Sequence, residues 1–210
     1  MECEPKVVLF DFGGVYYTEG FREGIFAIAR KYGKPQRSFL ETAVQVTYAT
    51  GYVRGEIPEA GFWEELAKAT GLDVSLYPER ETILQAFEPI PGMGDLVARI
   101  GEGTPVGLLT DQTNWLYELD ERDGFLSSFH GVVISYEEGF TKKDPEIFRI
   151  ACQRMDVFPA EVIFFDDNMG NVTNAREFGI RAWLFEDAKE TERVLRREGV
   201  FDQEIRRSGS

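Results

Sequence analysis

The sequence predicts an α/β protein built on a doubly wound parallel sheet, with a helical subdomain inserted after the first strand. Three observations carry this expectation. Short apolar runs alternate with amphipathic helical patterns along most of the chain, which is the signature of repeated βαβ units. The interval 20–88 breaks that rhythm with helical patterns alone. The apolar runs end in carboxylates and a hydroxyl, the residue types that gather where such sheets bind ligands.

The first run is Val7, Val8, Leu9 and Phe10, ending at Asp11 and bounded by Pro5 and the Gly13–Gly14 pair. An unbroken apolar stretch of this length reads as a strand buried on both faces. Four further runs lie at 105–110, 132–135, 162–166 and 180–185, separated by helical patterns at 93–100, 113–122, 145–155, 171–178 and 189–198. Their connections are expected to be right-handed. Between 20 and 88, Phe21, Ile25, Ile28 and Tyr32 recur at helical spacing before Gly33 and Pro35 stop the helix. Ser38 with Glu41 three residues later has the form of a capping box. Residues 59–70 place Phe62, Leu66 and Ala69 on one face and end at Gly71, and 78–87 carries Ile83, Leu84 and Phe87. A single crossover helix needs only about 10–15 residues, so the span is a subdomain. Pro89, Pro91 and Gly92 mark the return hinge. The expected organisation is a core of 1–19 and 89–210 with a helical unit of 20–88.

Composition narrows the function classes. A formal net charge of −14 opposes the basic face a nucleic-acid reader presents. The basic clusters, Arg193, Arg196, Arg197 and Arg206, Arg207, read as a solvated helix face and a tail. No apolar run approaches the length of a bilayer span, and no basic segment followed by a long apolar stretch opens the chain. Cys3 and Cys152, by number and spacing, indicate neither a disulfide framework nor a zinc site. The expectation is a cytoplasmic protein, monomer or homodimer, with a small-molecule substrate and neither nucleic acid nor membrane as partner.

At the carboxyl ends of the strands stand Asp11, then Thr110 with Asp111, then a loop with Lys142, then Asp166 and Asp167. Singly, each has an ordinary reading: a turn aspartate, a helix cap, a surface lysine. Together they suggest one centre. Carboxylates held close cannot all remain ionised without a cation between them, and a hard divalent ion such as magnesium satisfies oxygen ligands beside a phosphate. A free carboxylate oxygen can then attack phosphorus, while a lysine and a hydroxyl hold the transferring oxygens.

In these blocks the chain resembles the haloacid dehalogenase-like superfamily. VVLFDFGGV (7–15), GLLTD (107–111), GFTKKDPEIF (139–148) and VIFFDDNMGNVTNAREFGI (162–180) are similar to its four signatures, the last in double-aspartate form. The resemblance implies a Rossmann-like three-layer core with a central parallel sheet under a mobile helical cap. It implies Asp11 as nucleophile, Thr110 as phosphate-binding hydroxyl, Lys142 as the site lysine, and Asp166 with Asp167 as acidic support for Mg2+. The Gly13 carbonyl falls where the family uses a carbonyl ligand. Asp111 neighbours the phosphate subsite.

The chain also departs from that pattern. Most phosphatases of the superfamily carry a second aspartate two residues after the nucleophile, which protonates the leaving group and activates water. Gly13 stands there and can do neither. Such assistance is worth about 100- to 10,000-fold. A good leaving group, as in an anomeric sugar phosphate, or a substituting group would answer the deficit; Asp111, in place of a usual Asn, is one candidate substitute. Lys143 replaces a common proline. His130 lies outside the signatures and reads as a packed or surface histidine. Tyr16, Tyr17, Tyr48, Tyr52 and Trp63 read as packing residues or as the wall of a substrate pocket. No phosphate-binding P-loop or dinucleotide fingerprint is present. Two other readings remain: a haloacid dehalogenase, which needs no metal, and a binding protein that kept the fold.

Overall fold

The computed structural model describes residues 4–201. Five parallel strands form one sheet in the order β3-β2-β1-β4-β5, with β1 (Val7–Phe10) in the centre, β2 (Val106–Thr110) and β3 (Gly131–Ile134) on one side, and β4 (Val162–Asp166) and β5 (Arg181–Leu184) on the other. The chain steps outward from β1 through β2 to β3 and then crosses to β4. The switch in direction therefore falls at β1, where open α/β sheets have their ligand crevice. Register is set by pairs such as Phe10 with Leu108 and Phe10 with Phe165.

Every residue of β1, β2 and β4 is buried, and alternation divides them between two cores. Val8, Phe10, Val106, Leu108, Ile163 and Phe165 face one layer. Val7, Leu9, Leu109, Val133, Val162 and Phe164 face the other. The second face is covered by α8 (Pro145–Arg154) and α9 (Met169–Phe178), through Ile147, Phe148, Val172 and Ala175. The first is covered by α5 (Met93–Gly101), α6 (Trp115–Asp123) and α10 (Ala188–Arg197). This is the expected three-layer α/β arrangement.

Between β1 and β2 the chain forms α1 (Gly20–Lys31), α2 (Gln36–Ala49), α3 (Glu59–Thr70) and α4 (Arg80–Gln85) with no strand among them. Its outbound and return segments lie together. Thr18 N donates to Glu88 O (2.8 Å), Glu88 N donates to Thr18 Oγ1 (3.0 Å), and Ile90 N donates to Tyr16 O (3.0 Å). Gly20 starts α1 with no room for a side chain, because a Cβ there would lie 2.3 Å from the Phe87 ring.

Several local expectations need correction. The Ser38–Glu41 capping box does not form: Pro35, with φ fixed near −64°, starts α2 at Gln36. Ser38 instead donates to Pro35 O, and Glu41 pairs with Arg37. The helix expected over 78–87 is a short 3-10 turn followed by α4, leaving Phe87 buried beyond its end. In α3 Ala67, not Ala69, joins the buried face. The third strand ends one residue earlier, because Ser135 opens a short helix, α7 (Ser135–Glu138). His130 is exposed, and its Nδ1 accepts a hydrogen bond from Val106 N. Arg193, Arg196 and Arg197 lie on the exposed face of α10, whereas Cys3, Arg206 and Arg207 lie outside the described residues. Cys152 is a buried free thiol. Among the described residues no helix is long and apolar enough to cross a membrane.

Phe165 on β4 is 1% exposed and stacks on Phe10. Phe165→Ala is expected to lower unfolding free energy by about 3–5 kcal/mol in urea denaturation. Phe158→Ala, at a side chain 76% exposed, should change it by no more than about 0.5 kcal/mol.

Candidate active site

The carboxyl ends of β1, β2 and β4 deliver Asp11, Thr110 and Asp166 to one place, and a single cavity of about 380 Å³ opens above them. Its lining includes Asp11, Gly13, Thr110, Asp111, Lys142 and Asp167, so six of the seven residues marked out in the sequence face it. The seventh, Asp166, is fully buried directly beneath. One carboxylate oxygen from each of Asp11, Asp166 and Asp167 can be chosen so that all lie within 4.8 Å of one another.

Lys142 organises this cluster. Its ammonium sits 2.6 Å from Asp11 Oδ2 and 2.5 Å from Asp166 Oδ2, and the side chain is only 1% exposed. Burial alone would drive its pKa down, but Asp11, Asp166 and Asp111 outweigh it and hold the ammonium firmly protonated. Burial pushes the Asp11 carboxyl well above the usual carboxylate range; Lys142 opposes the shift and Asp166 adds to it. The other Asp11 oxygen, Oδ1, accepts from Phe12 N at 2.7 Å.

The supporting contacts explain why Lys142 stays put. Lys142 N donates to Asp111 Oδ1 (2.9 Å), and Asn174 Nδ2 donates to Lys142 O (2.9 Å). Asp111 Oδ2 in turn accepts from the Tyr48 hydroxyl on α2 at 3.4 Å. Both Asp111 oxygens are thus engaged, and the residue anchors the loop. Burial raises its pKa, with Lys142 pulling the other way. Asp166 receives Asn168 N on Oδ1 (2.8 Å) and Asn171 Nδ2 on both oxygens (3.1 Å each).

Asn171 and Asn174 escape sequence reasoning, although their spacing after Asp166–Asp167 places them on the face of α9 that looks back at the site. Glu19 escapes it too, lying just before the helical span with no motif around it. It lines the cavity against Asp167. Burial, reinforced by the Asp167 charge, pushes its carboxyl up to about 7. Gly14, at φ +79°, makes room for both: a Cβ there would lie 2.2 Å from Asp167 Oδ2 and 2.9 Å from Glu19 Oε1. Of the aromatic residues weighed in the sequence, Tyr16, Tyr17, Tyr52 and Trp63 are buried in the core, and Tyr48 and Tyr52 line the cavity.

The donor set tests which ion the site suits. Three carboxyl groups and no thiolate or imidazole make an oxygen-only site, with one ammonium against two of them. That chemistry fits a hard divalent cation such as magnesium.

A family model for haloacid dehalogenase-like hydrolases matches residues 5–179. Among curated proteins, mouse acyl-CoA dehydrogenase family member 10 is 31% identical over 140 residues, 61% of this chain but only 13% of that protein's length. Flavin mononucleotide hydrolase 1 of Arabidopsis thaliana is 24% identical over 186 residues, covering 87% of this chain and 73% of its own. Among solved structures, a HAD family enzyme of Bacteroides thetaiotaomicron in complex with magnesium and inorganic phosphate superposes with TM-score 0.70 at 22% identity, covering 88% of this chain and 96% of that one. L-2-haloacid dehalogenase from Xanthobacter autotrophicus with chloropropionic acid covalently bound gives 0.67 at 21% identity, covering 91% and 82%.

Removing the Lys142 charge should expose the repulsion it relieves. Lys142→Met is expected to cost about 3–5 kcal/mol of stability without divalent ions. Saturating magnesium should recover part of that loss, read by chemical denaturation with and without the metal.

Proposed function

The chain belongs to the haloacid dehalogenase-like hydrolases, and from that premise we propose that it is a magnesium-dependent phosphatase of small phosphorylated metabolites, with Asp11 as its nucleophile. The observation that carries this reading is the meeting of Asp11, Asp166 and Asp167 within 4.8 Å, with Lys142 on two of them. Asp11, the Gly13 carbonyl, Asp166 and Asp167 would hold the ion. When bound, magnesium supplies positive charge that offsets the carboxylates and the phosphoryl oxygens.

The residues of the chain then have distinct tasks. An Asp11 carboxylate oxygen attacks phosphorus in line, and the bond from phosphorus to the leaving oxygen breaks with its electron pair going to that oxygen. The resulting aspartyl phosphate is hydrolysed when water attacks phosphorus, releasing inorganic phosphate and restoring the carboxylate. Lys142 offsets negative charge beside the transferring group, and the Thr110 hydroxyl donates to one of its oxygens. Asp111 positions Lys142 through its backbone N–H. Helices α1–α4 and their connections act as a cap, whose Phe21, Val44, Tyr48 and Tyr52 wall the cavity and exclude bulk water during transfer. A cavity of about 380 Å³ admits a metabolite, not a macromolecule.

Dehalogenation uses the same attacking carboxylate on carbon, and the likeness to a haloacid dehalogenase keeps it as the second reading. The acidic cluster favours phosphorus, since displacement of halide needs no cation. The discriminating assay offers the protein p-nitrophenyl phosphate with magnesium and 2-chloropropionate without it. Phosphate release that requires magnesium and vanishes in Asp11→Asn is expected; halide release alone would overturn the phosphatase reading.

Gly13 makes a second expectation. With no side chain there to protonate the leaving oxygen, kcat should fall steeply as leaving-group pKa rises across a series of aryl and alkyl phosphates. This suits activated leaving groups such as anomeric sugar oxygens. A Cβ at Gly13 meets nothing within 4 Å, so Gly13→Asp should fold and flatten that dependence. Turnover of the poorest leaving groups should rise by about 100-fold.

A further inference from the structure

We propose that Lys143 is a recognition residue for a second anionic group carried by the leaving group, so that the preferred substrates are phosphomonoesters with an additional carboxylate or phosphate. This deepens the phosphatase reading and rests on it. Lys143 is exposed and lines the cavity mouth, immediately after the lysine that touches Asp11. Its ammonium lies 3.7 Å from the centroid of the Tyr48 ring, the shortest cation–ring distance among the described residues. No carboxylate of the described residues forms an ion pair with it.

That combination distinguishes a poised cation from a satisfied one. A carboxylate partner would neutralise the charge, whereas an aromatic face holds an ammonium through its quadrupole and leaves the net charge intact. The platform is itself tethered, since the Tyr48 hydroxyl reaches Asp111 and Asp111 holds the backbone of Lys142. The tether orders a side chain that would otherwise lose rotamer freedom on engaging a ligand. The surroundings give the charge a direction. Glu19 and Asp167 also line the cavity, and the chain as a whole carries −14, so Lys143 is a cationic point in an acidic setting. The cavity also has an apolar and aromatic wall, with Phe21, Phe87 and Trp115. The recognised molecule has a phosphate at Asp11, a compact organic body against that wall, and a second anion at Lys143.

The test uses non-hydrolysable phosphonates, so that it reads binding rather than turnover. Benzylphosphonate, its 3- and 4-carboxyl derivatives and 1,4-xylylenediphosphonate are titrated calorimetrically into the magnesium-loaded protein. At least one ligand with a second anion is expected to bind about fivefold more tightly than benzylphosphonate, in keeping with a partly exposed charge pair. The two carboxyl positions cover differences in reach, and the diphosphonate distinguishes a phosphate partner from a carboxylate. The advantage should shrink as ionic strength rises, disappear in Lys143→Met and return in Lys143→Arg. Equal affinity for all four ligands, or a preference that survives Lys143→Met, overturns the assignment to Lys143 while the phosphatase reading stands. Failure of every phosphonate to bind overturns the phosphatase reading and this inference with it.

Discussion

The site depends on one ammonium placed between two carboxylates in the interior. Lys142 contacts Asp11 and Asp166, residues from the two adjacent strands β1 and β4, whose carboxyl ends the sheet brings side by side. Without that ammonium the two acids would repel each other at the end of a hydrophobic core. With it, Asp11 is oriented before any ligand arrives. The surrounding contacts serve this arrangement: Asp111 and Asn174 fix the lysine's backbone, while Asn171 and Asn168 fix Asp166. The cluster at the strand ends is therefore held by side chains from several different elements.

The helical segment between β1 and β2 reaches the same network from above. Tyr48 touches Asp111, and Tyr52 donates to Asn114, which in turn donates to Glu59. Farther out, Arg80 joins Glu59 of α3 to Glu118 of α6, and Arg122 of α6 donates to the carbonyls of Leu84 and Phe87. Beside these polar contacts runs an apolar seam, in which Trp115 of α6 packs against Phe21, Tyr52, Phe62 and Trp63 of the helical segment. Burial and hydrogen bonds together hold the helices over the cavity.

Much of this was legible in the sequence because it rests on local patterns. Unbroken apolar runs gave β1 and β4, since strands buried on both faces have no polar alternation to hide them. Asp11, Thr110 and Asp166 were legible because the end of such a run is a defined place in a parallel sheet. What could not be read depends on contacts between distant segments. Glu19 matters only because the turn at Gly14 brings it against Asp167. Asp111 looked like a possible proton donor, and its tie to the Lys142 backbone spans 31 positions. The pairing of Lys143 with Tyr48 joins two surface-like residues that no periodicity links. The capping box at Ser38 failed for a different reason: α2 already begins at Gln36, so Ser38 lies inside its first turn and not before it.

The paired hydrogen bonds that join Tyr16 and Thr18 to Glu88 and Ile90 have a wider consequence. They close a neck at the base of the four helices, so the core chain leaves and resumes its path at nearly the same point. Strand order and register are set wholly below that neck. Changes in the helices above it can therefore reshape the cavity wall, to which they contribute Phe21, Val44 and Tyr48, without altering the path of the sheet.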